Sequence, residues 1–260
     1  MIQALSHILE MEDFAEQQRA MLKFVTEIQT ANQTELSQIL DALLEFCCHN
    51  SNTDDANRSQ IVEMVIGRIT QIQKNSPLSW SPIELQRIAQ IYDWAPDQNN
   101  LRNQLLGLLA TIDTESALAL WESQLCNDPP QHRAGIVLAF APLLHNQSHL
   151  TQPLFDHLFA EAFSHLPVAA AVLDLANYAF RQGVLTPHPA QGRVEQLSGL
   201  LGQLAGQMAR IEEGTIPENW EPLQISQTVS DAVALMIPLC DAMALMEYHQ
   251  AIGKLNQTLD

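Results

Sequence analysis

The chain has few basic residues, and this scarcity limits the partners it can bind. Only 12 of its 260 residues are lysine or arginine, against 30 aspartates and glutamates, for a formal net charge of −18. No two basic residues are adjacent. Because phosphate backbones and anionic membranes are bound by clustered lysine and arginine, we expect neither nucleic acid nor membrane as a partner. The acidic charge would attract a basic protein or peptide, although it would also serve solubility alone.

Cysteine is scarce as well. The four residues, Cys47, Cys48, Cys126 and Cys240, include no pair spaced as CxxC, so they do not form a disulfide framework. The chain does not open with a cationic segment followed by an apolar block, and its longest apolar runs are far shorter than a membrane span. We therefore expect a cytoplasmic protein.

Familiar catalytic motifs are missing too: the sequence contains no GxSxG, HExxH, GxxxxGK or GxGxxG. Gly199, Gly202 and Gly206 lie at helical spacing along one predicted helix, which favours close approach of a neighbouring helix over a phosphate cradle. Two residues of the set His157, Glu161 and His165 could share a divalent metal, but successive four-residue steps drift around a helix. We therefore predict no cofactor and no metal.

Helical periodicity runs through almost the whole chain, whereas the alternation and the Asn-Gly or Asp-Gly turns typical of strands are absent. Ser81-Pro82-Ile83-Glu84 reads as a helix start with a capping box. The pattern predicts a short helix over 2–10 and longer helices over about 13–30, 33–49, 55–74, 82–93, 98–112, 114–126, 131–145, 151–165, 167–181, 191–212 and 224–246, with a last one from about 248.

Two stretches of the chain, 107–118 and 242–252, share a local pattern. Each ends a helix with small and apolar residues, passes through an acidic residue and enters a second apolar-periodic helix. The acidic residues, Asp113 and Glu247, are 134 residues apart, which is about four units of a 33-residue period. Self-similarity on that scale indicates stacked helical hairpins.

From residue 98 to residue 260 the chain resembles the HEAT family of helical repeats. Pro142 and Pro238 lie within apolar runs of first helices, where HEAT helices are often kinked. The other matching features are Gly107-Leu108-Leu109-Ala110 at a helix end, Asp113 and Glu247 in turns, and second-helix starts at Glu115-Ser116-Ala117-Leu118 and Gln250-Ala251-Ile252. The resemblance implies an all-α fold, a right-handed α-solenoid of antiparallel hairpins over 98–126, 131–165, 167–212 and 224–260.

The best internal boundary is 75–81, where the first proline, Pro77, occurs. We predict an N-terminal helical segment over 1–75 that packs on one continuous domain of HEAT-like repeats over 76–260. The chain stops at Asp260 without the polar capping helix that solenoids normally need. This favours either a longer parent chain or an exposed terminal helix covered by a second copy in a homo-oligomer.

Three functions remain open. The first is a non-catalytic scaffold that binds a protein or peptide through an acidic helical-repeat surface, with Asp113, Glu115, Glu122 and Glu247 as the expected binding residues. The alternative is an enzyme or small-molecule-binding protein with a pocket between the solenoid and the N-terminal helices, around His157 and Trp121. The third is a structural subunit that assembles with itself.

Overall fold

A computed structural model describes residues 2–11, 13–49, 56–96, 100–131, 135–145, 147–215 and 220–246. Throughout these ranges the secondary structure is helical and no strand occurs, which confirms the all-α prediction. The α-helices are α1 (Ile2–Leu9), α2 (Phe14–Glu27), α3 (Gln33–His49), α4 (Ala56–Asn75), α5 (Pro82–Trp94), α6 (Leu101–Thr111), α7 (Glu115–Asn127), α8 (Ile136–Phe140), α9 (Gln152–Glu161), α10 (Leu166–Arg181), α11 (Val194–Glu212) and α12 (Pro222–Leu245). The helix predicted from about 248 lies outside the described residues.

Side-chain caps fix several of the helix starts. At α5, the Ser81 hydroxyl accepts a hydrogen bond from the Glu84 amide, and the Glu84 carboxylate accepts one from the Ser81 amide at 2.7 Å. The predicted capping box is therefore confirmed. Thr114 and Thr151 cap α7 and α9 in the same way, because each hydroxyl accepts from the backbone N–H three residues on.

Two predicted helices are shorter than expected. Within the interval 131–145, the described residues 135–145 form α8 and a 3₁₀ turn over Ala141–Leu144, because Pro142 has no N–H to donate within an α-helix. The interval 151–165 forms α9, which ends at Glu161 and is followed by a 3₁₀ turn over Ala162–Ser164. Pro238, by contrast, lies inside the continuous helix α12.

The chain divides into two compact units, unit 1 over residues 1–146 and unit 2 over residues 147–260. In unit 1 most helices pack on the helix two places along the chain. The helices α1, α3, α5 and α7 pack in succession and form the odd-numbered row, whereas α2, α4, α6 and α8 form the even-numbered row. In unit 2, α10 packs on α9 and α12, and α11 packs on α12. The predicted domains, 1–75 and 76–260, remain a prediction.

The close approach of α6 and α8 depends on a glycine. A Cβ atom added at Gly107 would lie 2.6 Å from the carbonyl oxygen of Leu138. Because that obstacle is backbone, it cannot rotate away, and α8 must shift. We expect Gly107→Ala to lower the free energy of unfolding of unit 1 by about 2 kcal/mol, as measured by urea denaturation followed by circular dichroism.

A matched glycine on α11 should respond in the opposite direction. An added Cβ at Gly199 meets nothing within 4 Å, and the same holds at Gly206. The prediction that this glycine stripe packs against a neighbouring helix is therefore wrong at these two positions. Helical spacing shows which residues share a face of the helix, but it does not show what packs on that face. Gly199→Ala should raise the unfolding free energy by about 0.5–1 kcal/mol through helix propensity. Equal effects of the two substitutions would contradict this packing.

One helix has the length and composition of a membrane span. Among the described residues only α12 qualifies, with a mean hydropathy of 1.5 over its most apolar window, of which 33% is buried. The sequence analysis identifies no membrane span here, because short polar residues interrupt the apolar run of this helix. One side of α12 packs in unit 2 through Ala232, Leu235, Leu239, Ala242 and Met243.

Candidate functional site

The turn between α6 and α7 presents acidic residues to solvent. Thr114 caps α7, and the carboxylates on either side of it, Asp113 and Glu115, are both exposed. An acidic residue in the first turn of a helix is stabilised by the backbone N–H groups that have no partner there. Glu122 lies two turns further along α7 and is half-buried. Glu247, the fourth predicted binding residue, lies outside the described residues.

Two neighbouring helices extend this acidic surface. Asp41 and Glu45 are exposed on α3, and Asp93 is exposed on α5. Since α3 packs on α5 and α5 packs on α7, these carboxylates belong to the same row of helices as Glu115 and Glu122. Sequence reasoning missed all three, although each lies on the polar face of a correctly predicted helix.

Polar contacts connect the helices of this row. The Arg87 guanidinium on α5 forms an ion pair with Asp41 on α3 at 2.6 Å and donates to the Ser37 hydroxyl at 2.8 Å. Gln124 on α7 donates to the Asp93 carboxylate at 3.5 Å. These contacts join α3 to α5 and α5 to α7 along the side of the helices that carries the exposed carboxylates.

The charges of unit 1 are divided between its two rows. The described helices of the odd-numbered row contain seven acidic residues and one basic residue, Arg87; the acidic ones are Glu35, Asp41, Glu45, Glu84, Asp93, Glu115 and Glu122. The described helices of the even-numbered row contain three acidic residues, Glu16, Glu27 and Glu63, and six basic ones, Arg19, Lys23, Arg58, Arg68, Lys74 and Arg102. Within the described helices of unit 1, the net negative charge therefore lies on the odd-numbered row.

Several basic residues of the even-numbered row donate hydrogen bonds to backbone carbonyls of unit 1. Arg68 on α4 donates to the Val25 carbonyl of α2 at 2.7 Å. Arg102 is buried, donates to the Ala95 carbonyl at 2.9 Å and lies over the Tyr92 ring. Arg19 donates to the Ala15 carbonyl within its own helix. These guanidinium groups stabilise backbone carbonyls and helix packing in unit 1.

The histidine stripe does not lie on one helix. His157 and Glu161 are exposed on α9, but α9 ends at Glu161 and His165 is the residue before α10. In the described ranges, no group of three or more histidine, cysteine, aspartate or glutamate side chains is arranged to hold a metal ion. The i, i+4, i+8 spacing is therefore interrupted by the 3₁₀ turn.

Trp121 has a structural environment. Its side chain is 0% exposed, its indole N–H donates to the Ala139 carbonyl at 3.0 Å, and its ring meets Phe140 edge-on at 5.4 Å. A side chain that is fully enclosed cannot line an open pocket. Trp121 therefore has a structural role in unit 1, and the alternative of a pocket around His157 and Trp121 stays a prediction.

Unit 2 contains a buried polar network centred on Asn177 of α10. The Asn177 amide group donates to the Pro238 carbonyl at 3.1 Å and to the Asp241 carboxylate at 3.0 Å, and Asp241 also pairs with Arg181. The Asn177 amide oxygen lies 3.0 Å from Nε2 of His188. Because His188 Nδ1 accepts from the Ala190 amide, Nε2 carries the proton and donates to Asn177.

This network holds the loop that contains His188 against α10. His188 is 1% exposed, and burial lowers its pKa to about 4, so the imidazole is neutral at physiological pH. Asn177 separates it from Asp241, so these two side chains do not form a direct imidazole–carboxylate pair. Sequence reasoning missed this cluster, and the two prolines that flank His188 are the one signal that could have pointed to it.

The chain is not assigned to a family by comparison with known proteins: no family model, curated protein or solved structure matches it.

Proposed function

We propose that the chain is a HEAT-like helical-repeat scaffold, without catalytic activity, that binds a cationic protein or peptide segment through the odd-numbered row of unit 1. The binding surface comprises the acidic side chains of α3, α5 and α7 and of the turn before α7. Three of the four predicted binding residues, Asp113, Glu115 and Glu122, belong to it, together with Asp41, Glu45 and Asp93.

The solenoid architecture is supported by the packing within unit 1. Helices that alternate along the chain pack side by side in two rows, as expected when successive helical hairpins stack on one another. The Thr114-capped turn between α6 and α7 is a short hairpin connection of the predicted kind. Such stacks offer extended surfaces, which suit recognition of another chain.

The observation that carries the proposed function is the separation of charge between the rows. Solubility alone does not require the net negative charge to lie on alternate helices. Helices that together contain seven acidic residues and one basic residue produce a local negative potential, which steers cationic partners toward them. The paired Arg87 offsets the charge of one of these carboxylates, Asp41, and connects α5 to α3.

Charge-neutralising variants provide the test. The binding of an N-acetylated oligoarginine peptide would be measured by isothermal titration calorimetry at low salt. We expect Glu45→Gln, Asp93→Asn and Glu115→Gln together to weaken binding about tenfold, which corresponds to about 1.4 kcal/mol. These side chains are chosen because they are exposed and lie on three different helices.

The control changes net charge by the same amount elsewhere. Glu16→Gln, Glu27→Gln and Glu212→Gln remove three exposed carboxylates from α2 and α11, and Glu16 matches Glu115 as a first-turn residue. This variant should weaken binding by less than about twofold. Equal losses in both variants would mean that the peptide responds to net charge alone, and the proposed surface would be wrong.

A further inference from the structure

A polar cleft lies within unit 2, between α9 and the start of α11. The residues that line it on α9, in the loop before α11 and at the beginning of α11 include Gln152, Asp156, Pro189, Gly192, Arg193 and Glu195. Its volume of about 540 Å³ lies in the range of small-molecule sites, roughly 300–1,000 Å³. It differs from the pocket predicted around His157 and Trp121, since neither of these residues lines it. We call it the α9–α11 cleft.

Hydrogen bonds hold two walls of the α9–α11 cleft together. The Gln152 side-chain amide on α9 donates to the Pro189 carbonyl at 3.1 Å and to the Asp156 carboxylate at 3.0 Å. The loop that contains Pro189 is also anchored from inside, because the buried His188 ring bonds to Asn177 of α10 at 3.0 Å. Walls that are already in place reduce the ordering that a ligand must impose.

A guanidinium group and a carboxylate line the cleft without forming an ion pair. Arg193 lies over the Phe159 ring, 5.9 Å from its centroid, and donates to the Asp156 backbone carbonyl at 3.3 Å. It also donates to the Gln196 side-chain oxygen at 3.5 Å. These bonds use two of the five N–H donors of a guanidinium group. In the part of the chain that the structure describes, neither the Arg193 nor the Asp156 side chain pairs with an opposite charge, so both can pair with a ligand.

The start of α11 favours an anion beside Arg193. This residue is the N-cap of α11, and its side chain makes no capping hydrogen bond. The first N–H groups of a helix have no partner within it, and they attract negative charge. A ligand carboxylate that pairs with the guanidinium group therefore gains this attraction as well.

Gly192 keeps the cleft open. Its φ is not positive, and an added Cβ atom would meet nothing within 4 Å. Neither the backbone conformation nor the packing of neighbouring atoms therefore requires glycine at this position. The missing side chain leaves space at the wall of the cleft that a ligand can occupy.

We propose that the α9–α11 cleft binds a free amino acid with a cationic side chain. The ligand carboxylate pairs with the Arg193 guanidinium group, and the α-ammonium group pairs with Asp156. One guanidinium group and two carboxylates give the cleft a net charge of −1, so a second cationic group on the ligand, near Glu195, completes the match. The proposal concerns unit 2 and does not depend on the proposed function.

Three related compounds test the proposal by isothermal titration calorimetry of the full chain. L-lysine should bind with a Kd of about 1 mM or below. Cadaverine lacks only the carboxylate of L-lysine, and 6-aminohexanoate lacks only the α-ammonium group. We expect each of them to bind at least about tenfold more weakly than L-lysine. A chain that attracted cations through its net charge alone would bind cadaverine at least as well as L-lysine.

Two variants locate the site. Arg193→Gln makes the chain more acidic, so non-specific attraction would strengthen, whereas the proposal expects L-lysine to bind at least about tenfold more weakly. Gly192→Leu fills the cleft without changing its charge and should abolish binding. Gly199→Leu adds the same side chain at an exposed position of α11 outside the cleft, and it should bind L-lysine as the wild-type protein does.

Circular dichroism reports whether each variant remains folded, and all three should give the wild-type spectrum. The proposal is overturned if L-lysine does not bind to the wild-type protein, or if cadaverine or 6-aminohexanoate binds as tightly. It is also overturned if Gly192→Leu or Arg193→Gln binds L-lysine as tightly as the wild-type protein does.

Discussion

Trp121→Ala should lower the free energy of unfolding of unit 1 by about 4 kcal/mol, the largest effect expected for any single substitution proposed for this protein. Trp121 is fully buried on α7, and its ring packs edge-on against Phe140. The substitution leaves a large cavity. It also leaves the Ala139 carbonyl without the indole donor that now lies 3.0 Å away. Urea denaturation followed by circular dichroism would measure the loss.

Trp121→Phe separates the two contributions. The phenyl ring retains most of the apolar contact but cannot donate to Ala139, so we expect an intermediate loss of about 2 kcal/mol. If Trp121→Ala cost less than about 1 kcal/mol, the side chain would not occupy the enclosed site described here. The Trp121→Ala variant should bind oligoarginine as the wild-type protein does when both are folded. That result would show that Trp121 supports the scaffold and does not belong to the binding surface.

The stability of unit 2 should fall in mild acid because of His188. The unfolded imidazole has a pKa near 6.5, and burial lowers the folded value to about 4. Between these values the unfolded state binds more protons, so stability is complete above about pH 6.5 and is lost progressively toward pH 4. The total loss from this group is about 3 kcal/mol. Urea denaturation at successive pH values measures it.

The variant His188→Asn removes the titrating group and should flatten the decline between pH 6.5 and pH 4. Asp174 has the opposite effect on stability, because partial desolvation and the nearby Asp241 raise its pKa, an effect that Arg181 reduces. That contribution is shared by both proteins, so the difference between their pH profiles isolates His188. His157→Asn, which changes an exposed histidine, should keep the wild-type slope. A wild-type slope in His188→Asn would refute the assignment.

Local sequence signals predicted most helices because the periodicity and the capping residues act within one turn of the chain. The intervals 33–49, 82–93 and 167–181 agree with α3, α5 and α10 within about one residue. The helix predicted over 131–145 was wrong in its C-terminal part. The apolar residues around Pro142 favoured a helix, but Pro142 ended it. The open space beside Gly199 and Gly206 could not be predicted, since it depends on which other helices pack nearby.

The candidate site was predicted only in part for the same reason. Asp113, Glu115 and Glu122 follow from the repeat pattern around one hairpin. Asp41 and Asp93 join them through the packing of α3, α5 and α7, which are distant in sequence. A signal was nevertheless present: α3, α5 and α7 are predominantly acidic, whereas α4, which lies between the first two, has three basic residues and one acidic residue. Net charge counted for each predicted helix would have revealed the alternation.

Carboxylate footprinting tests the central claim most directly. The wild-type protein would be labelled with a carbodiimide and glycine ethyl ester, with and without N-acetylated oligoarginine, whose guanidinium groups do not react. We expect the peptide to reduce labelling of Asp41, Glu45, Asp93 and Glu115 by at least about threefold while Glu16 and Glu27 on α2 label as before. Equal protection of both sets, or protection confined to α2, would contradict the assignment of the odd-numbered row as the binding surface.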